Sequence, residues 1–197
     1  MCFLATALAR LAETGKGTRF LAVVGPSGSG KSSVVKAGLI PALRQGGLPG
    51  SENWFIVDLM PGAHPLEELE AALLRVAVNP PESLLAQLQE DERGLLRAVR
   101  RVLPADPNTE LVLVIDQFEE LFTLAADEDE RSAFLRSLHT AVTTPGSRLW
   151  VVITLRADYY DRPLLYARFG ELVRDRHELL MPPGVAPGRY RLIVGLY

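Results

Sequence analysis

Short runs of consecutive apolar residues alternate along this chain with longer stretches in which apolar residues recur every third or fourth position. The unbroken runs predict buried strands over Arg19–Gly25, Trp54–Leu59, Leu111–Ile115 and Arg148–Leu155, each bounded by turn-forming or charged residues. Helical spacing predicts a helix from Lys31 whose apolar face is Val34, Val35, Leu39, Ala42 and Leu43. Gly46-Gly47 would end it, with Pro41 kinking it or marking its last turn. Further helices are predicted over Leu66–Val78, Ser83–Glu90, Glu92–Leu103 and Asp129–Val142, with Ser83 and Asp91 as N-caps and Asn79-Pro80-Pro81 as a break. Leu4, Ala7, Leu8 and Leu11 suit a short helix ahead of the first strand, and Val173–Met181 reads as a last strand. Strands apolar throughout and separated by helices imply βαβ units, and hence an α/β protein built on a parallel sheet covered on both faces.

Composition narrows this picture. A chain of 197 residues with 48% hydrophobic content can bury a core and has room for one domain. The expected division is an N-terminal helix over 1–16, a nucleotide-binding core over 17–181 and a Pro/Gly-rich irregular tail over 182–197. Met1–Leu11 lacks the basic start of a signal peptide, and no apolar run approaches the roughly 20 residues that cross a bilayer. The lone Cys2 cannot form an internal disulfide, which suits the cytoplasm. A net charge of −3 offers no basic footprint for nucleic acid.

The chemistry lies at the ends of the strands. Gly25-Pro26-Ser27-Gly28-Ser29-Gly30-Lys31-Ser32 satisfies G-x-x-x-x-G-K-[ST] between a predicted strand and a predicted helix, the context of a P-loop. Glycines let successive backbone N–H groups turn toward a phosphate, and the helix start adds the positive end of its dipole. Gly25, Ser27, Gly28, Ser29, Gly30, Lys31, Ser32 and Ser33 are therefore candidates for holding a nucleoside triphosphate, with Lys31 on the β- and γ-phosphates and Ser32 on Mg²⁺. Asp116 closes the most apolar strand at the edge where ligands bind in such sheets, and is the second candidate for holding Mg²⁺. Glu119 and Glu120 follow as candidates for polarising the attacking water, although either could simply cap the next helix. Arg156, after the fourth strand, is a candidate sensor of the γ-phosphate, with an ion pair to Asp158 or Asp161 as the plainer alternative. Tyr159 and Tyr160 read as packing residues. The three histidines have no metal-ligand spacing.

The segments FLAVVGPSGSGKSSVVKAGLIPAL, VLVIDQFEELFTL and VVITLRADYY resemble, in order, those of the novel STAND NTPase family over about residues 17–170. These signal-transduction ATPases are often found in bacterial multidomain proteins. The resemblance implies a P-loop NTPase three-layer sandwich with about five strands, in which the strand ending at Leu155 lies between the P-loop strand and the strand ending at Asp116. It maps the family's aspartate and acidic pair onto Asp116 and Glu119-Glu120, and its strand-end arginine onto Arg156. It also implies a switch that hydrolyses ATP slowly, with protein partners or self-association through flanking domains. The family's upstream base-enclosing segment and its helical continuation are not found, so a core truncated at both ends is expected; a shortened gene, a frameshift near Met181 or a fragment would each account for it. Two other readings stay open: a nucleotide-binding or interaction module without significant hydrolysis, and a P-loop small-molecule kinase.

Overall fold

A computed structural model describes residues 3–13, 19–78 and 83–181. The tail over 182–197 and the predicted break Asn79-Pro80-Pro81 lie outside the described residues.

Five parallel strands form one sheet: β1 (Phe20–Gly25), β2 (Phe55–Leu59), β3 (Leu111–Ile115), β4 (Leu149–Arg156) and β5 (His177–Leu179), in the spatial order β2-β3-β4-β1-β5. β4 thus lies between β1 and β3. Alternate residues of the apolar runs face opposite layers, as the two-residue period of a strand requires. Phe20, Ala22 and Val24 of β1 join Leu111, Leu113 and Ile115 of β3 in one cluster, under α3 (Pro65–Leu74), α4 (Leu84–Glu90), α5 (Gly94–Val102), α7 (Glu128–Thr143) and, after the short α8 (Asp161–Leu164), α9 (Ala167–Asp175). Leu21 and Val23 join Val112, Val114 and Val152 on the other face, under α1 (Phe3–Ala12) and α2 (residues 31–44). Each fully buried Val, Leu or Ile contributes about 1.5–3 kcal/mol of gross hydrophobic stabilisation, so a strand apolar on both sides belongs in the middle of the sandwich.

Helix α2 runs from Lys31–Val34 through a π turn, Val35–Leu39, into Ile40–Arg44. Pro41 has no N–H to donate and its ring crowds the carbonyl one turn back; the ladder widens just ahead of it, where the Ile40 N–H reaches the Val35 carbonyl. The helix then ends as its glycines require. Gly46 takes φ 78°, its N–H donates to the Leu43 carbonyl, and the Gly47 N–H donates to the Ala42 carbonyl.

Two elements of the core differ from their predicted bounds by more than two residues. The helix expected over Leu66–Val78 spans Pro65–Leu74, after which the Arg75 guanidinium turns back to the Asp58 carbonyl. The strand expected over Val173–Met181 is only His177–Leu179, because Val173 belongs to α9. Phe169, Leu172 and Val173 are all buried at helical spacing, and that periodicity outweighs the β preference of one valine.

Candidate functional site

Because all the strands are parallel, their C-terminal ends gather the candidate residues along one edge of the sheet. Gly25 pairs in register with Arg156, and Leu59 with Ile115.

The loop leaving β1 is shaped by its glycines. Gly28 and Gly30 hold φ of 72° and 87°, values that residues with a Cβ rarely adopt, and a Cβ on either would meet nothing within 4 Å. Gly25 is needed for a different reason: a Cβ there would lie 2.4 Å from the Leu180 carbonyl oxygen and 2.8 Å from Ser29 Oγ. The Ser29 N–H donates to the Pro26 carbonyl at 3.2 Å, closing a turn. Lys31 Nζ donates to the carbonyls of Gly25 at 3.0 Å and Pro26 at 2.8 Å, spanning the loop mouth. Burial pushes the Lys31 ammonium below its ordinary range, while Glu119 pulls the other way and Arg156 adds to the drop. Ser29 Oγ is buried without a hydrogen-bond partner. An orphaned buried hydroxyl, a buried lysine and first-turn amides left free by the start of a helix together suit a polyphosphate. Ser27 and Ser33 are exposed beside this cradle.

Asp116 is 4% exposed, immediately after β3. Its Oδ1 accepts from Ser32 Oγ at 2.7 Å, from Thr154 Oγ1 at 2.7 Å and from the Gln117 N–H at 3.2 Å. Its Oδ2 pairs with Lys36 Nζ at 3.0 Å. Burial alone would raise the pKa of this carboxyl, but the hydrogen bonds from Thr154, Ser32 and Lys36 outweigh it and hold the group below its usual range. The two residues expected to hold Mg²⁺ are thus in direct contact. Among the described residues no group of three or more His, Cys, Asp or Glu side chains could hold a metal. Ser32 and Asp116 fit instead a Mg²⁺ ion that keeps several waters and takes one or two protein oxygens beside the phosphates.

Beyond Asp116 the chain turns sharply. Gln117 takes φ 54°, uncommon for a residue with a side chain, and its N–H also donates to Thr154 Oγ1 at 3.0 Å. Phe118 then buries itself, its ring stacked on Phe169 at 5.6 Å and its N–H donating to the Thr154 carbonyl. This anchor separates the two acidic residues. Glu119 leans toward β4, where its Oε2 accepts from the Arg156 N–H at 3.3 Å. Glu120 opens the short α6 (Glu120–Thr123) and leans toward β2, where its Oε2 accepts from the Gly62 N–H at 3.3 Å. Since β4 borders the P-loop strand and β2 does not, Glu119 is the acid on the side of the P-loop. Arg156 ends β4 and grips Asp158 through Nε at 3.1 Å and Nη2 at 2.6 Å, with its guanidinium 5.2 Å from the centre of the Tyr159 ring. Tyr160 is buried, with its hydroxyl 3.2 Å from His177 Nδ1.

Two participants were not singled out from sequence. Thr154 is the one hydroxyl in the apolar run RLWVVITL, and that polar interruption near a strand end was the available signal. Lys36 stands four residues after Ser32, so helical spacing places both on one face. A separate cavity of about 430 Å³ between α7 and α9, lined by Leu135, His139, Tyr166 and Phe169 among others, shares no lining residue with the P-loop.

Comparison with known proteins bears on the family and the fold. The family model described as Novel STAND NTPase 1 matches residues 3–194, beyond both ends of the segment that carries the sequence resemblance. No protein of curated function matches the chain in sequence. Among solved structures, the ORC2 protein of Aeropyrum pernix, determined as ADPNP-ADP complexes, superposes with a TM-score of 0.51 at 14% identity, over 91% of this chain and 46% of that one. The DnaC helicase loader superposes with a TM-score of 0.44 at 14% identity, over 90% of this chain and 86% of that one. The chain thus spans less than half the length of the ORC2 chain, and at this identity the likeness concerns the fold alone.

Proposed function

The chain belongs to the novel STAND NTPase family, and from that premise we propose that it binds ATP with Mg²⁺ in the loop over 25–33 and hydrolyses it slowly, as the nucleotide switch of a signalling protein. The observation that carries this reading is the 2.7 Å hydrogen bond from Ser32 Oγ to Asp116 Oδ1, which joins the P-loop to the acidic strand end. In this reading Lys31 exchanges the Gly25 and Pro26 carbonyls for phosphate oxygens, and the amides around Gly28 and Gly30 complete the cradle. Ser32 and Asp116 would hold Mg²⁺, whose charge when bound supplies neutralisation of the phosphate oxygens.

Glu119 accepts a proton from, or orients, the attacking water. Glu120 braces the turn at Gly62 and takes no part in the chemistry. Arg156 swings from Asp158 to the γ-phosphate, and the ion pair it leaves is exposed and screened by solvent. Flanking segments of a longer protein would supply signal reception and protein partners. A second reading, binding without appreciable turnover, follows if Arg156 keeps the two-bonded pairing with Asp158 seen in the structure.

Single-turnover phosphate release separates the two readings. Glu119→Gln should slow release by about 100-fold or more while retaining ATP binding, the usual loss for a water-activating carboxylate, and Glu120→Gln should stay within about fivefold of the unsubstituted chain. No release from the unsubstituted chain would favour binding alone, and a larger loss in Glu120→Gln than in Glu119→Gln would reverse the assignment.

A further inference from the structure

Lys36 occupies a position that phosphate binding by the loop does not by itself require. Its Nζ lies 3.0 Å from Asp116 Oδ2 and 3.5 Å from Asp58 Oδ2, on the β2 edge strand. The opposite oxygen of Asp116 already accepts from Ser32, Thr154 and the Gln117 N–H, three donors from three different segments, which fix the direction of the carboxylate without help. What Lys36 adds is charge. A buried carboxylate within one side chain's reach of a phosphate cradle repels polyphosphate and attracts divalent metal, and a cation 3.0 Å behind it offsets both effects.

We propose that Lys36 is the resident counter-cation of Asp116: it lets the loop accept a nucleoside diphosphate or triphosphate that carries no metal, and weakens metal binding at Ser32 and Asp116 ahead of the nucleotide. The inference rests on the nucleotide site proposed above and concerns how strongly that site depends on Mg²⁺. Loss of the charge makes the local potential more negative, which weakens metal-free nucleotide more than the metal complex, whose cation offsets part of the phosphate charge and is drawn to Asp116. The difference appears in the ratio of affinities with and without Mg²⁺. Lys36 is nearly half exposed, so solvent screens part of the effect, and a change on the order of tenfold is expected.

The test is titration of a fluorescent N-methylanthraniloyl-ADP into the full chain, once in excess EDTA and once in Mg²⁺, for the unsubstituted protein, Lys36→Met and Lys36→Arg. The ratio of the dissociation constant in EDTA to that in Mg²⁺ should rise roughly tenfold in Lys36→Met, mainly through weaker binding in EDTA, and Lys36→Arg should keep the original ratio. An unchanged ratio in Lys36→Met, an equal loss in both conditions, as a merely structural role would produce, or a matching rise in Lys36→Arg would overturn the inference while leaving the nucleotide site standing. Failure of the unsubstituted chain to bind in either condition would overturn the site itself.

Discussion

At Asp116, burial favours the neutral acid, and the hydrogen bonds donated by Thr154, Ser32 and Lys36 favour the anion more, so the folded-state pKa lies below the ordinary 3.8. A depressed carboxylate pKa adds stability that is fully present above the unfolded value and disappears as pH falls through the folded one. Thr154→Val removes one of the short bonds to Oδ1, together with the acceptor of the Gln117 N–H, and leaves the shape of the strand intact. It should cost about 1.5–3 kcal/mol in urea denaturation at pH 7, the usual worth of a hydrogen bond to a charged group, and the difference should shrink as pH is lowered below about 4. A difference that persists undiminished in acid would place the cost elsewhere than on the ionised carboxylate. The placement of Gly25 to Ser32 and of Asp116 was legible in the sequence, because the first is a contiguous motif between a strand and a helix and the second closes an unbroken apolar run. Thr154 and Lys36 were not, since each acts through a neighbour that only the parallel pairing of β3 with β4 and the packing of α2 bring within reach.

Among the elements, strands were easier to read than the segments between them. β3 was placed to the residue because both its faces are buried and the apolar run has no gap. The π turn in α2 left no mark except Pro41, and the acidic pair after β3 read as two equivalent candidates until the positive φ of Gln117 and the burial of Phe118 turned them toward different strands. Contact between helices is equally silent in sequence. Gly94 opens α5 where it crosses α4: a Cβ there would lie 2.2 Å from the Gln87 carbonyl oxygen and 3.0 Å from Leu88 Cα. Backbone cannot yield as a flexible side chain does, so Gly94→Ala should destabilise the chain by about 1–3 kcal/mol despite the better helix propensity of alanine. Chemical denaturation would show this, and an alanine variant as stable as the original would mean that α4 and α5 do not meet so closely.

For the whole molecule, the α/β class followed from alternating strands and helices, but the strand order did not. The placement of β4 between β1 and β3 was implied by family resemblance, and the sheet has that order. Its consequence for the site is direct: Asp116, Thr154, Arg156 and the P-loop stand on adjacent strands, so one edge can bind phosphate, hold metal and present an acid to water. The account as a whole depends on that edge being a nucleotide site, and equilibrium titration of ATP in the presence of Mg²⁺ into the unsubstituted chain and Lys31→Ala tests it most directly. Saturable binding by the unsubstituted chain and its loss, by about 100-fold or more, in a Lys31→Ala variant that keeps its circular dichroism spectrum is the predicted result. Equal affinity in the two proteins, or no binding by either, would contradict it.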